Sequence, residues 1–345
     1  MTIRETLAAL VSGRSLTAAE ADALFEDLFT GRLEDSQIGA ALALMAVRGP
    51  SVEELLGGAG AMRRHVTPIP GVSEMSGRVI DTCGTGGARK TFNVSTLAAV
   101  VTAAAGGGKL RVAKHGNRGR SGRGSAEVLR ALGVNIDAAP DVQARCLREV
   151  GVCFCFAIHH HPAMKHAAKA RQALGFPTIF NALGPLTNPA GATRQVMGVY
   201  SADLVEPIAT VLARLGCERA MVVHADDGID EISTTGATTI AHVEGGGVRT
   251  ERFDSGFLGL ARARVQDLDA ADLDHAVRIA RSVLGGESGP AREMVLLNSA
   301  AALIVGDVAP GWPEGLAKAV KAVDSGAAAR VLEGLVRESN ETGRG

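Results

Sequence analysis

The amino-acid sequence predicts an α/β protein: a small all-helical N-terminal domain followed by a larger α/β domain with a mostly parallel central sheet. Three observations carry that expectation. Through Pro70 the chain holds helix signals only. From Arg78 onward, short β-prone runs alternate with helix-like stretches, the pattern of a parallel sheet covered by helices. Apolar residues make up 46% of the chain and aromatics only 3%, so the core must be aliphatic and alanine-rich. A length of 345 residues suits about two domains, drawn here at 1–72 and 73–345.

The helical signals come in order. Thr17-Ala-Ala-Glu20 has the form of a capping box, and Gly31 is placed to stop that helix. Ser51-Val-Glu-Glu54 repeats the device after the Gly49-Pro50 break. Between them, Ile38 to Val47 reads as a helix buried on most sides. Pro68 and Pro70 end the region. Strands are then expected at Val79-Ile80, Leu110 to Ala113, Val152 to Ala157, Gln195 to Tyr200 and Ala220 to His224. Gly245-Gly-Gly247 joins Thr238–Val243 and Val248–Phe253 as a hairpin, and three or four helices close the chain from about Ala271.

Composition removes several classes of function. A net charge of −1 argues against a protein that coats nucleic acid with its whole surface. The five cysteines are odd in number and scattered, as reduced thiols are, and Cys153 and Cys155 lie in an expected buried strand. The start MTIRETLAAL carries Glu5 and lacks a long apolar core, so no secretory signal is read there. The longest uncharged apolar stretch, Leu97 to Gly108, is too short to span a bilayer. A soluble, cytoplasmic protein is expected.

Four segments carry chemistry. Asp81-Thr-Cys-Gly-Thr-Gly-Gly87 follows a strand and precedes Thr91-Phe-Asn-Val-Ser-Thr96, which opens a helix; glycine turns and a helix N-terminus together favour phosphate. Lys114-His-Gly-Asn-Arg118 and Gly119-Arg-Ser-Gly-Arg-Gly-Ser125 repeat the arrangement after the next strand, at the edge of the sheet where ligands bind. Between Asp81 and Glu127 there are eight basic residues and no acid: Arg89, Lys90, Lys109, Arg111, Lys114, Arg118, Arg120 and Arg123. Such a field suits a compact polyanion; a merely solvated basic face usually carries interspersed acids and lacks paired glycine loops. Asp226-Asp-Gly-Ile-Asp-Glu231 offers carboxylates beyond a strand end, suited to magnesium beside pyrophosphate and otherwise an acidic turn. His159-His-His161 invites zinc, but no cysteine or carboxylate completes a site at the usual spacing. Arg171, nearby, can grip a carboxylate with two bonds or make a surface ion pair.

GTGG, TFNVST, KHGNR, GSAEVL, HPAMKH, TIFNALGPLTNPA and GIDEIS occur together and in order. They closely resemble the anthranilate phosphoribosyltransferase family over nearly the whole chain. The resemblance implies a fold like those of nucleoside phosphorylases, with a contribution to the helical domain from about 163–190. It implies phosphoribosyl pyrophosphate contacts at Gly84, Gly87, Thr91, Asn93, Ser95, Thr96, Lys114 and Ser125. It places anthranilate at Gly84, Asn117 and Arg171, with His115, His161, Gly184 and Pro185 lining its path. Gly116 and Arg118 complete the substrate-binding stretch. Ser95, Asp230 and Glu231 are the implied ligands of magnesium, two ions in all, and Arg171, Asp230 and Glu231 the catalytic set. A homodimer through the helical domain is implied as well.

Two loops depart from the family pattern. The usual aspartate after GTGG is replaced by Ala88-Arg89-Lys90, and Gly119-Arg-Ser-Gly-Arg123 is one residue short. Arg89, Arg120 and Arg123 are therefore expected to share the charge neutralisation otherwise left to a second metal. Two rival readings stay open at this point: a transferase or phosphorylase of the same architecture with another acceptor, and a nucleic-acid binder using the basic loops as a groove.

Overall fold

Four helices open the chain: α1 (Ile3–Val11), α2 (Ala18–Phe29), α3 (Asp35–Arg48) and α4 (Val52–Arg64). Thr17 and Ser51 accept the N–H of Glu20 and Glu54, and each glutamate returns a bond to its cap, so both expected capping boxes form; Thr2 and Glu5 make a third. Helix α3 differs from expectation. It buries Ile38, Ala41, Leu42 and Met45, whereas Val47 is 91% exposed. The helix packs on α1, α9 and α10 along one side only, and the helical period carries Val47 to the other.

The computed structural model describes residues 1–89, 91–119 and 122–341. After the helices come β1 (Arg78–Gly84), α5 (Val94–Gly106), β2 (Leu110–Gly116), α6 (Ser125–Ala131), α7 (Pro140–Glu149) and β3 (Val152–Phe156). Three short helices follow, α8 (Ala157–His160), α9 (Lys165–Leu174) and α10 (Ile179–Leu183). Then β4 (Arg194–Gly198), α11 (Val205–Arg214), β5 (Arg219–Ala225) and the hairpin β6 (Thr238–Glu244) and β7 (Gly247–Phe253) complete one sheet. Helices α12 (Leu273–Leu284), α13 (Pro290–Val305), α14 (Trp312–Asp324) and α15 (Ala327–Asn340) end the chain.

The sheet has seven strands in the order β3-β2-β1-β4-β5-β6-β7. The first five run parallel and the hairpin is antiparallel. Strands β3 and β4 are buried at every position, as parallel strands covered on both faces must be, while the edge strand β7 carries Arg249, Glu251 and Arg252 outward. One apolar core joins the sheet to α5 and α13. The other joins its opposite face and α11 to α2 and α4, with Ala167, Ala170, Ile179, Phe180 and Leu183 of α9 and α10 packed among them.

Two strands run further than expected, to Gly84 and Gly116, so Asp81, Thr82, Lys114 and His115 belong to strands and not to loops. Neighbouring strands hold them there: Ile80 to Gly84 pair with Arg194 to Gly198, and Val112 to Gly116 with Val152 to Phe156. The β1–β2 ladder itself covers only Arg78–Ile80 against Leu110–Val112. Beyond it, side chains take the backbone groups. Asp81 Oδ1 accepts the His115 N–H at 2.9 Å, Lys114 Nζ donates to the Thr82 carbonyl at 2.7 Å, and Asn188 Nδ2 donates to the Ala113 carbonyl at 2.8 Å.

Candidate active site

The parallel strands all end at one edge of the sheet, and strand order reverses between β1 and β4. That switch point is where an open α/β sheet offers a crevice. Its floor is the pair Gly84 and Gly198, directly opposed in register. Both must lack side chains, because a Cβ on Gly198 would lie 1.7 Å from the Asp230 carbonyl oxygen and one on Gly84 2.9 Å from Asp230 Oδ2. Asp230 thus lies across the switch point, in the segment after β5.

Glu231 reaches the start of α5, where its Oε1 accepts the Ser95 N–H at 3.0 Å. Burial and the adjacent Asp230 charge push the Glu231 carboxyl up to about 8, against the pull of Lys114. Lys114 Nζ also lies 3.3 Å from Ser95 Oγ, so Ser95, Lys114 and the carboxylate pair form one cluster. Two crowded carboxylates short of positive charge suit a divalent cation. Among the described residues no group of three or more His, Cys, Asp or Glu gathers, so other oxygens must complete a coordination shell.

Helix α5 meets the crevice with its N-terminus. The side chain of its N-cap residue, Asn93, makes no capping bond and instead donates Nδ2 to the Arg123 carbonyl at 3.1 Å. Thr91 Oγ1 bonds the Phe92 carbonyl, and Thr96 is buried. The glycine loop before α5 is clamped at Thr85: its N–H donates to Gly198, its hydroxyl accepts the Tyr200 N–H at 3.0 Å, and its carbonyl accepts Asn181 Nδ2 at 3.2 Å. Gly87 lies beside Pro177 and Tyr200. The α9–α10 segment therefore flanks the loop, and Arg171 projects from α9 with its guanidinium 5.1 Å from the centre of the Phe180 ring.

A second wall follows β2. His115 and His161 meet through their Nε2 atoms at 3.2 Å. Burial drives both below the usual histidine value, His115 well below it and His161 to about 4, so both are neutral at pH 7. His161 Nδ1, on the far side of its ring, is buried without a hydrogen-bond partner among the described residues. The Pro185 carbonyl accepts Gln195 Nε2 at 2.7 Å. Beyond Gly116, Ser125 Oγ bonds the Asn117 carbonyl at 3.3 Å, and the Arg118 guanidinium lies 5.7 Å from the centre of the Phe156 ring.

Several expected contributors lie elsewhere. Arg111 spends its guanidinium on the carbonyls of Leu147, Ser76 and Gly108, at the opposite end of β2, where Lys109 also lies. Arg89 points to Asp269, 4.0 Å away. Lys90 and Arg120 lie outside the described residues. Asp226 is paired with Arg252, and Asp227 is tied to Ser233 and Thr235, so only the second half of the acidic run reaches the crevice. The three histidines diverge: His159 binds Asp137, His160 binds Thr67 and Gln143, and only His161 faces His115. Sequence reading missed Thr82, Asn181, Asn188, Gly198 and Tyr200. The one available signal was Gly198 inside the expected strand Gln195 to Tyr200, which in the structure ends at Gly198, a third glycine at the same sheet edge.

Residues 4–66 match the helical bundle domain of the glycosyl transferase family and residues 76–329 its a/b domain. Bundle, switch-point crevice and carboxylate pair together define a two-part glycosyltransferase. Similar proteins sharpen the class. Anthranilate phosphoribosyltransferases of Methylobacterium nodulans and Moorella thermoacetica are 46% and 45% identical, the first over 97% of this chain and 98% of its own, the second over 97% of each. The crystal structure of the Thermus thermophilus anthranilate phosphoribosyltransferase superposes with a TM-score of 0.89 at 36% identity, covering 97% of this chain and 99% of that one. The Saccharomyces cerevisiae enzyme in complex with PRPP and Mg superposes at 0.86 with 25% identity, over 98% and 97% of the two chains. This chain belongs to the anthranilate phosphoribosyltransferase family.

Proposed function

We propose that the crevice transfers the phosphoribosyl group of 5-phosphoribosyl 1-pyrophosphate to anthranilate, giving N-(5-phosphoribosyl)anthranilate and pyrophosphate, a step of tryptophan biosynthesis. The observation that carries the residue-level reading is the convergence of Ser95, Lys114, Asp230 and Glu231 on one strand edge beside the α5 N-terminus. The amine nitrogen forms a bond to C1 of the ribose while the C1–O bond breaks, its electron pair leaving with pyrophosphate, and the nitrogen then releases one proton to solvent or to the departing pyrophosphate. An aromatic amine is neutral at pH 7, so positioning and charge are what the protein must supply.

The residues divide that work. Gly84, Gly87, Thr91, Asn93, Ser95, Thr96, Lys114 and Ser125 line the sugar pyrophosphate, with backbone N–H groups turned toward its oxygens. Arg171, stacked on Phe180, holds the anthranilate carboxylate; Asn117, Gly116, Arg118, His115, His161, Gly184 and Pro185 line its approach. The neutral His115–His161 pair keeps a second positive charge away from the incoming amine. Ser95, Asp230 and Glu231 fit magnesium, which when bound stabilises charge on the departing pyrophosphate. The raised Glu231 carboxyl supports that fit, and the number of ions is proposed as two. We further infer a cytoplasmic homodimer through residues 1–72, which act with about 163–190 as a domain beside 73–345. Val11 and Val47, 71% and 91% exposed, leave apolar side chains on that helical unit for a partner. Among the described residues no helix is long and apolar enough to cross a membrane. Loss of anthranilate fluorescence with phosphoribosyl pyrophosphate and magnesium tests the reading; no loss, with pure folded protein, would overturn it.

A further inference from the structure

Phe180 and Asn181 are neighbours in α10, yet their side chains serve different walls of the crevice. The buried Phe180 ring packs on Phe25 and Phe29 of α2, with centroids 5.6 and 6.1 Å apart, and carries the Arg171 guanidinium 5.1 Å from its centre. Asn181 reaches the glycine loop instead, where its Nδ2 donates to the Thr85 carbonyl at 3.2 Å. Its Oδ1 accepts the Thr178 N–H at 3.1 Å, so both ends of the amide are held and its orientation is set.

That bond controls more than one carbonyl. Thr85 precedes Gly86 and Gly87, both in the left-handed region with φ of 63° and 92°. The Thr85 carbonyl and the Gly86 N–H belong to one planar trans peptide and point in opposite directions, so fixing the first aims the second. Without Asn181 this plane is free to rotate, since Gly86 brings no Cβ to resist it. The rest of Thr85 is tied to the sheet edge: the Gly198 carbonyl accepts its N–H at 2.9 Å and its hydroxyl accepts the Tyr200 N–H at 3.0 Å. Helix α10, in contrast, is seated on the helical unit. A Cβ on Gly58 of α4 would lie 2.9 Å from Leu183 Cδ1, so the two helices are already in direct contact. A shift of α10 therefore moves the platform of Arg171 and the anchor of the glycine loop together.

We propose that Asn181 is a positioning residue that couples the two substrate sites, a reading that rests on the transferase function above. Through it, the α10 position that presents Arg171 to anthranilate is also the one that aims the Gly86 N–H at pyrophosphate. Each ligand then raises the affinity for the other, by the same factor in both directions. Magnesium pyrophosphate and anthranilate, which form no product together, are titrated by calorimetry singly and each in the presence of the other. The parent is expected to bind anthranilate about two- to tenfold more tightly with magnesium pyrophosphate than without it, the worth of one neutral hydrogen bond, and the reciprocal titration should give the same ratio. In N181A both ratios are expected to fall to about one. A side chain that merely stabilises α10 would lower the melting temperature and leave the ratios at the parental value. Parental ratios in N181A, or a parent whose ratio is one or less, overturn the proposal. Should N181A fail to fold, N181D keeps an oxygen for the Thr178 N–H, loses the donor toward Thr85, and is titrated against the same criteria. A parent that neither binds anthranilate nor turns it over with phosphoribosyl pyrophosphate sinks the transferase reading itself, whereas an active parent with coupling intact in N181A removes only this role.

Discussion

Gly198→Ala tests whether the crevice depends on the close approach of the segment after β5 to the strand ends. Gly198 has no positive φ, so alanine carries no backbone strain there. The added Cβ would lie 1.7 Å from the Asp230 carbonyl oxygen, 2.6 Å from its carbonyl carbon and 3.0 Å from its Cβ. Ordinary van der Waals contact begins at 3.4 Å, so the Asp230 backbone must retreat by about 1.7 Å. That movement draws Glu231 from the Ser95 N–H it holds at 3.0 Å and shifts both carboxylates together. Overpacking of this kind costs about 1–3 kcal/mol of stability. Misplacement by about 1 Å costs about 100-fold in rate. Turnover of Gly198→Ala, followed by anthranilate fluorescence, is therefore expected to fall about 100-fold, with a higher magnesium requirement and a melting temperature lower by several degrees. Gly39→Ala serves as the control: its Cβ meets nothing within 4 Å, it lies inside α3, and it should be silent or slightly stabilising. Parental turnover and magnesium dependence in Gly198→Ala would refute the reasoning.

Other variants probe the remaining parts. Asp230→Ala and Glu231→Ala are each expected to lose most of the turnover, and chelation of magnesium to do the same in the parent; near-normal rates at saturating magnesium would sink the metal assignment. Arg171→Ala should raise the KM for anthranilate far more than that for the sugar pyrophosphate, by about 1.5–3 kcal/mol of binding, and equal effects on both would make Arg171 structural. Burial holds His161 at about 4, with His160 adding, against about 6.5 in the unfolded chain. Its contribution is therefore complete above pH 6.5 and lost as pH falls toward 4, on the order of 3 kcal/mol at most; His161→Asn should flatten stability over that window, and an unchanged curve would contradict the assignment. Burial opposes ionisation of Asp307, but Arg194, Arg219 and Arg78 outweigh it and hold the carboxyl below its usual value. Its stabilisation is present above about pH 4 and lost on further acidification, so Asp307→Asn should melt lower than the parent at pH 7 and converge with it in acid.

Local signals were legible wherever a residue's role depends on its sequence neighbours. Thr17 and Ser51 were readable as caps because a capping box closes within one turn of chain. The strand runs were readable from β-branched residues, and the hairpin from its glycines. Strand ends were misjudged because Asp81, Lys114 and Gly116 have poor β-propensity, and pairing with β4 and β3 overrides it. Helix α3 misled for the same kind of reason: an apolar residue such as Val47 carries no mark of which side a neighbour will cover.

The sequence by itself determined the class of fold, the two glycine loops, the Asp230-Glu231 pair and, through its motifs, the resemblance to a family. These are properties of short segments, whose chemistry is set by residues a few positions apart. Only the tertiary structure decided which charges serve the crevice. Arg111 is drawn away to backbone carbonyls, Asp226 to Arg252 and His159 to Asp137, whereas Lys114 reaches Ser95 and the Thr82 carbonyl. Gly198 and Asn181 entered the site only when the sheet placed Gly198 opposite Gly84 and α10 reached the Thr85 carbonyl. A charge interacts through space over a few ångströms, and partners lying 22 to 136 residues apart in the chain leave no local trace of their pairing.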